Sequence, residues 1–389
     1  MRSGRVIMEK IYLDHAATSP VHPEVVEIVH EMMQNHYGNA SSIHNFGRDS
    51  RRILDNARLV FAASIGAKPS EIVITSGGTE SDNTAVFETA LSRITEGKHV
   101  ITSTIEHHAV LRPMEKLESL GFEVTYLPVN SFGLVDPEQV RAALRPDTIL
   151  VSIMYGNNEV GSLMDIKAIG EIIQESETTA YFHTDAVQAY GLEKIDVKSS
   201  HIDLLSTSSH KINGPKGTGF LYINEKINLP SFMLGGEQEM KRRAGTENIP
   251  AIAGFQKAVE IVQNEKEQRK ESYLGFRNQL LERLKKADIA FEVNGSSEQH
   301  LAHILNIWFT GVSSEQLLML LDLAGIAVSA GSACTAGNID PSHVLMAMFG
   351  SDDPKISESI RISFGLGTTS QSIDHLADEL IKIIAKLKK

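Results

Sequence analysis

Cysteine is nearly absent: Cys334 is the single one in 389 residues. A lone thiol excludes internal disulfides, and it excludes zinc or iron–sulfur sites built from several cysteines of one chain. Long apolar runs are missing too, because no stretch reaches the roughly 18 residues a membrane span needs. Near the N-terminus Glu9 and Lys10 break the apolar core a signal peptide requires. The expected setting is therefore cytoplasmic, with no membrane partner. Basic charge is in deficit, since 37 Lys+Arg against 49 Asp+Glu leave −12 at pH 7. Such a chain repels polyphosphates, so direct nucleic-acid binding is not expected. Repeats and low-complexity tracts are also lacking. What remains, 42% hydrophobic and 22% charged residues, is the composition of a folded globular chain, long enough for roughly two or three domains.

Short apolar runs alternate with helical patterns through the first two-thirds of the chain. The runs are Glu71 to Thr75, His99 to Ser103, Glu123 to Leu127, Thr148 to Ile153, Tyr181 to Asp185, Leu204 to Ser206 and Gly219 to Tyr222. Seven strands alternating with helices predict an α/β fold around a mainly parallel sheet, with chemistry gathered at the carboxyl ends of the strands. After about Ile252 the texture changes. Tyr273, Phe276, Leu280 and Leu284 recur at helical spacing within Gln256 to Lys286, which reads as a connector helix. Beyond it, His303 to Trp308, the helix Ser314 to Leu323, the small-residue segment Ser329 to Gly337 and the strand Ser359 to Phe364 suggest a smaller α+β domain. Cys334 falls in its glycine- and serine-rich loop, where a thiol is either inert packing or chemistry.

Four motifs sit at strand ends. Thr75-Ser76-Gly77-Gly78-Thr79-Glu80-Ser81 precedes a helix-compatible stretch from Asp82 to Ser92, which puts free amides and hydroxyls at a helix N-terminus. It is an anion cradle suited to phosphate, or else a tight turn with a capped helix; it matches neither a Walker loop nor a dinucleotide fingerprint. His183-Thr184-Asp185-Ala186-Val187-Gln188 closes an apolar strand with an aspartate. That carboxylate either caps a helix or pairs with a protonated heterocyclic nitrogen. In Ser206-Thr207-Ser208-Ser209-His210-Lys211 a lysine follows a strand and is backed by a glycine-rich turn. Lysine in a desolvated or cationic setting forms Schiff bases, although most lysines are solvated surface residues. His107 follows Glu106 and is placed to stack on a flat ligand. With its neighbour His108 it makes no recognisable metal motif, and no metal is expected. Cradle, aspartate, glutamine, histidine and lysine together describe a site for pyridoxal 5′-phosphate.

These residues resemble the fold-type I pyridoxal-phosphate enzymes, and more narrowly the cysteine desulfurases of the class V aminotransferase group. The resemblance runs from Ile11-Tyr12-Leu13-Asp14-His15-Ala16-Ala17-Thr18 to Arg361-Ile362-Ser363-Phe364-Gly365. Between them lie Gly38-Asn39-Ala40-Ser41-Ser42-Ile43-His44, Asn157-Asn158-Glu159-Val160-Gly161, Arg243-Ala244-Gly245-Thr246 and Ser329-Ala330-Gly331-Ser332-Ala333-Cys334. It implies a large cofactor-binding domain over residues 1–255, with roughly the first 15 packing on the smaller domain, and a connector helix plus small C-terminal domain over 256–389. By this resemblance Lys211 holds the cofactor covalently and shuttles the substrate Cα proton. Asp185 pairs with the ring nitrogen, and Gln188 and Asn158 face the ring and its phenolic oxygen. His107 stacks on the ring, while Gly78, Thr79, Ser208 and His210 bind the phosphate. Thr246 reaches the phosphate of a neighbouring subunit's cofactor, which implies a homodimer. Arg361 clamps the substrate α-carboxylate. The Cys334 thiolate attacks the sulfur of L-cysteine, leaving L-alanine and a persulfide that goes to a sulfur-acceptor protein, a tRNA thiolase or an iron–sulfur scaffold.

Three positions depart from common versions of the pattern: Ser19 where a second threonine is usual, Glu237 where many members have glycine, and Ser209 where glycine or alanine precedes the His-Lys pair. An aminotransferase or β-lyase with a structural Cys334, or a non-enzymatic sulfur carrier, are the competing readings.

Overall fold

The computed structural model describes residues 10–331 and 341–388, with the backbone alone at 334–335 and 338–339. The first strands in chain order are β1 (Ile11–Tyr12), β2 (Ile72–Thr75), β3 (His99–Ser103), β4 (Glu123–Leu127), β5 (Thr148–Ser152), β6 (Tyr181–Asp185), β7 (Leu204–Ser206) and β8 (Gly219–Ile223). They are followed by β9 (Glu292–Asn294), β10 (Ile304–Trp308), β11 (Ile326–Ala327), β12 (Cys334–Thr335), β13 (Asn338–Ile339) and β14 (Ser359–Ser363). Strands β2 to β8 form one sheet in the order β2-β8-β7-β6-β5-β3-β4. Its pairings are parallel from β7 to β4, while β8 runs antiparallel to both β2 and β7. The reversal at β8 has a local cause. Residues 207–218 hold only the single turn Ser209–Lys211, too little chain for a helical crossover, so the strand returns beside its predecessor.

Strands β2, β3, β5, β7 and β8 are buried at every position. This is why they read as continuous apolar runs rather than as alternation: helices cover both faces of the sheet. On one face Phe61 packs against Phe220 and Phe255, with ring centroids 5.3 and 4.6 Å apart. On the other, Val86, Val100, Val110, Met114 and Leu150 form a second apolar layer.

A separate core surrounds β10, which pairs antiparallel with β14 and β9, and includes Leu280, Leu305, Ile307, Ile360, Leu376 and Leu380. One helix, Ile249–Lys286, serves both cores. At about 1.5 Å per residue it is about 57 Å long. It starts at Ile249 rather than at the expected Gln256, because Asn248 Oδ1 accepts from the Ala251 amide and a proline stands in the first turn. Its first half places Ile252, Phe255, Val259 and Val262 against the large sheet. Its second half buries Tyr273, Leu280 and Leu284 in the other core. The N-terminal strand β1 pairs with β11, and Leu13 joins the second core. From there the chain crosses to the large sheet, where the Ser19 hydroxyl donates to the His210 carbonyl at 2.7 Å.

The backbone of β12 pairs antiparallel with β13. The Cys334 side chain, and Ser332, Ala333, Ala336 and Gly337, lie outside the described residues. Among the described residues no helix is long and apolar enough to cross a membrane.

Phe255 is fully buried where the long helix meets the sheet. Phe255→Ala is expected to lower stability by about 3–5 kcal/mol, read by chemical denaturation followed by circular dichroism. A loss below about 1 kcal/mol would contradict the role given to that contact.

Candidate active site

The carboxyl ends of the parallel strands converge on a cleft of about 480 Å³. β6 delivers Asp185 and then Gln188, β7 leads to Ser208, His210 and Lys211, β5 leads to Asn158, and β3 leads to His107. Gly78, Thr79 and Arg361 complete the set, so ten of the residues expected from sequence share one cavity. A larger hollow of about 770 Å³ lies between Ile11, Leu320 and His375, lined mainly by surface lysine, threonine and leucine side chains. The buried acids and bases are in the smaller one.

Lys211 is half-buried, and its Nζ donates to the carbonyls of Ala16 and Ala17 at 2.5 and 2.8 Å. Burial and the Arg361 guanidinium push its pKa down to about 8, against the opposing pull of Asp185 and Asp14. Such a lysine carries a sizeable neutral-amine fraction near neutral pH. Asp185 is buried, and its Oδ1 accepts from the Val187 amide at 2.9 Å. Burial raises it to about 6, and the Val187 N–H and Lys211 hold it from rising further.

His107 caps the helix His108–Ser119, its Nδ1 accepting from the Ala109 amide at 3.1 Å. The ring is open to the cleft. Desolvation against the cleft wall, then the nearby charges of Lys211, His108 and His343, lower its pKa to about 4. With Nδ1 accepting, the neutral ring carries its proton on Nε2. Gln188 donates to the Ala16 carbonyl at 2.9 Å. Arg361 is buried; it donates to the Asn158 carbonyl at 2.8 Å and to Asp14 Oδ1 at 2.7 Å. Its Nε finds no acceptor among the described residues.

The helix Gly78–Ser92 begins four residues before the expected Asp82, directly at the cradle. Its first turn leaves the amides of Gly78 and Thr79 without intrahelical partners. A Cβ on Gly78 would stand 2.7 Å from Val187 Cγ2, so only glycine lets this turn close onto the strand-end of Asp185. Thr79, Ser208 and His210 border the same cradle together with Thr18 and Lys216. Thr246 is placed apart: it is exposed and lines a different hollow with Ser76, Gly217 and Arg243. The segment bearing it is held by two ion pairs, the buried Arg58–Glu239 at 2.7 Å and Arg243–Glu80 at 2.8 Å.

The three departures have structural roles. The Ser19 hydroxyl accepts from the Asn213 amide and donates to His210, clamping the lysine turn. Ser209 fits because a Cβ on Gly214 would lie 2.0 Å from its hydroxyl. Glu237 is exposed and pairs with Lys241 at 3.2 Å, away from the cleft.

Sequence reasoning missed several buried titratable groups. Glu106 Oε1 accepts from Ser103 and from the Met154 amide at 2.6 and 2.9 Å, and burial raises its pKa to about 8. Asp82 lines the cleft one helical turn beyond Gly78. That i, i+4 spacing was a legible signal. Asp14, the partner of Arg361, and Glu159 with His343 at the cleft mouth carried no local signature.

The doubly covered α/β sheet with a lysine, an aspartate and a phosphate-type helix start at its carboxyl edge defines the fold-type I class of pyridoxal-phosphate enzymes. The aminotransferase class-V family matches residues 11–376. The protein named "Putative cysteine desulfurase IscS 1" from Bacillus subtilis is 54% identical over 98% of this chain and 100% of its own length. A solved structure titled as a NifS-like protein superposes with a TM-score of 0.91 at 32% identity, covering 97% of this chain and 100% of its own. Another, titled "SspA in complex with cysteine", gives a TM-score of 0.81 at 35% identity over 92% and 99%. The chain belongs to the aminotransferase class-V family and, within it, to the cysteine desulfurases, which use pyridoxal 5′-phosphate.

The cleft residues fit that cofactor. Its floor offers a buried carboxylate with no arginine or lysine in ion-pair contact among the described residues. Beside it stand a neutral imidazole, a lysine with depressed pKa and a helix start stripped of side chain at Gly78.

Because the Lys211 proton leaves as pH rises past about 8, acylation of its amine in cofactor-free protein should be half-maximal near pH 8. Surface lysines should reach that point near their ordinary value. Peptide mass spectrometry after brief acetic anhydride exposure reads the profile, and a Lys211 midpoint that coincides with theirs would contradict it.

Proposed function

We propose that this chain acts on L-cysteine with Cys334 as the sulfur-accepting nucleophile, and that the cleft residues divide the work as follows. The observation that carries the reading is the convergence of Lys211, Asp185, His107 and Arg361 on one cleft that Gly331, three residues before Cys334, also lines. Pyridoxal 5′-phosphate supplies, when bound, an electron sink for the pair released at the substrate Cα. Asp185 would hold the protonated ring nitrogen, its buried carboxylate favouring the charged form of that nitrogen. His107 would stack its neutral imidazole on the ring, and Gln188 and Asn158 would hold its phenolic oxygen. The free amides of Gly78 and Thr79, with Ser208 and His210, receive the phosphate. Arg361, already held by Asp14 and the Asn158 carbonyl, offers its remaining N–H groups to the substrate carboxylate. Lys211 takes and returns the Cα proton as a neutral amine.

The Cys334 thiolate attacks the substrate sulfur. As the new S–S bond forms, the substrate C–S bond breaks and its electron pair stays with the carbon fragment, which is protonated and leaves as L-alanine. The persulfide then passes to an acceptor protein serving tRNA thiolation or iron–sulfur assembly. The acidic charge balance supports a protein acceptor rather than RNA itself.

The quaternary reading is a homodimer in the cytoplasm. Its support is Thr246, which faces a hollow separate from its own chain's cleft, as a residue completing a neighbour's phosphate site would. The division at about residue 255 belongs to the same reading. It is supported by the two apolar cores, each fed by one half of the helix Ile249–Lys286.

Purified cofactor-loaded protein given L-cysteine and dithiothreitol should form alanine and sulfide in equal amounts, and Cys334→Ala should form neither. Pyruvate in place of alanine, or undiminished product from Cys334→Ala, would contradict the assigned nucleophile. Mixing Lys211→Ala with Thr246→Ala protein under subunit exchange should restore activity to about a quarter of wild type if Thr246 serves a partner's site, by random pairing of subunits. No recovery despite demonstrated exchange would contradict that placement.

A further inference from the structure

Asp82 lies on the helix Gly78–Ser92 and faces the cleft at its floor. Its side chain is 1% exposed, and Oδ1 has no hydrogen-bond partner among the described residues. Ligand atoms of Asp82, Asp185 and His107 all lie within 4.8 Å of one another. On its other side, Asp82 Oδ1 stands 3.6 Å from Nε2 of the wholly buried His183. The His183 ring is fixed by Ser206 Oγ at 3.0 Å and Ser152 Oγ at 2.8 Å.

The charged and titratable groups facing Asp82 come from three elements. Asp185 and His183 come from β6, Glu106 and His107 from the turn after β3, and Lys211, beyond Asp185, from the turn after β7. No lysine or arginine makes ion-pair contact with Asp82 among the described residues. Two carboxylates this close and out of water cannot both ionise cheaply, because like charges in a low dielectric repel. The ring nitrogen of the cofactor carries one positive charge and can match one negative charge.

We propose that Asp82 is a second carboxyl of the ring-nitrogen site, acting as a neutral positioning residue set between His183 and Asp185, so that Asp185 alone bears the negative charge. Burial and the neighbouring Asp185 charge lift the Asp82 carboxyl well above its ordinary range against the opposing pull of a Ser206 hydrogen bond, whereas Asp185 has the Val187 amide and Lys211 to favour its charged form. The His183 ring, kept neutral by burial, has its Nε2 on the Ser206 hydroxyl and so brings no positive charge to match a second carboxylate. The inference rests on Asp185 facing the ring nitrogen.

Infrared difference spectroscopy of the holoenzyme against Asp82→Asn at neutral pH tests the charge state directly. Loss of a protonated-carboxyl band is the expected result; loss of carboxylate bands instead would overturn the proposal. Asparagine mimics the neutral acid, so Asp82→Asn should bind pyridoxal 5′-phosphate within about threefold of wild type, while Asp82→Leu, which removes the polar group between His183 and Asp185, should lose about tenfold and shift the pH profile of the bound cofactor's absorbance. Wild-type affinity and profile in Asp82→Leu would overturn the positioning role; if that variant does not fold, the Asp82→Asn spectrum still decides. Asp185→Asn is the control for the underlying reading. Unchanged cofactor affinity there would remove the Asp185 assignment, whatever the infrared result at Asp82.

Discussion

The site depends on a negative charge kept under-matched inside the protein. Asp185 sits at the end of a buried strand, with a backbone amide and, more remotely, Lys211 as the favourable influences on its ionised form. Burying a carboxylate in that way is costly unless a cation arrives to complete the pair. The cleft supplies no arginine for the purpose: Arg361 is turned toward Asp14 and the Asn158 carbonyl. On the proposed reading, the unmet charge selects a ligand that brings its own protonated nitrogen. Burial sets the rest of the floor: desolvation holds His107 and His183 neutral, and desolvation together with the Asp185 charge drives the second carboxyl, Asp82, toward its acid form.

The cleft lies where two apolar cores meet, with residues delivered to it from both. The parallel strands end together, so residues far apart in sequence reach the cleft from adjacent strand ends. The chain from Leu13 to Ser19 stitches the seam: Leu13 is packed in the second core, the Ala16 and Ala17 carbonyls receive Lys211, and Ser19 clamps the turn behind it. Arg361, to which the proposed reading gives the substrate carboxylate, comes from β14 in that second core. Arg361 and Lys211 thus reach one cleft from different cores, and Gly331, three residues before Cys334, also lines it.

Much of this was legible in the sequence because the relevant signals are local. Strands buried on both faces appear as short unbroken apolar runs, and β3, β4, β6 and β7 fall on the expected residues. Strand ends closing in Asp185 or leading to Lys211 mark a carboxyl-edge site. The antiparallel turn of β8 was not legible from alternation alone, since it depends on how little chain separates it from β7. Helix starts were placed late at Gly78 and Ile249, where small or capping residues hide the first turn. The buried Asp82, His183 and Glu106 and the half-buried Asp14 escaped for a different reason. Each is an ordinary polar residue until the fold brings an opposite or like charge beside it, and only Asp82, in helical phase with Gly78, left a trace in the spacing.

The most direct test of the central claim compares the binding of pyridoxal 5′-phosphate with that of its 1-deaza analogue, in which carbon replaces the ring nitrogen. If the buried Asp185 charge selects a protonated nitrogen, the natural cofactor should bind at least about tenfold more tightly, a difference of about 1.4 kcal/mol. That preference should collapse in Asp185→Ala. Equal affinity of the wild-type protein for the two compounds would contradict the account.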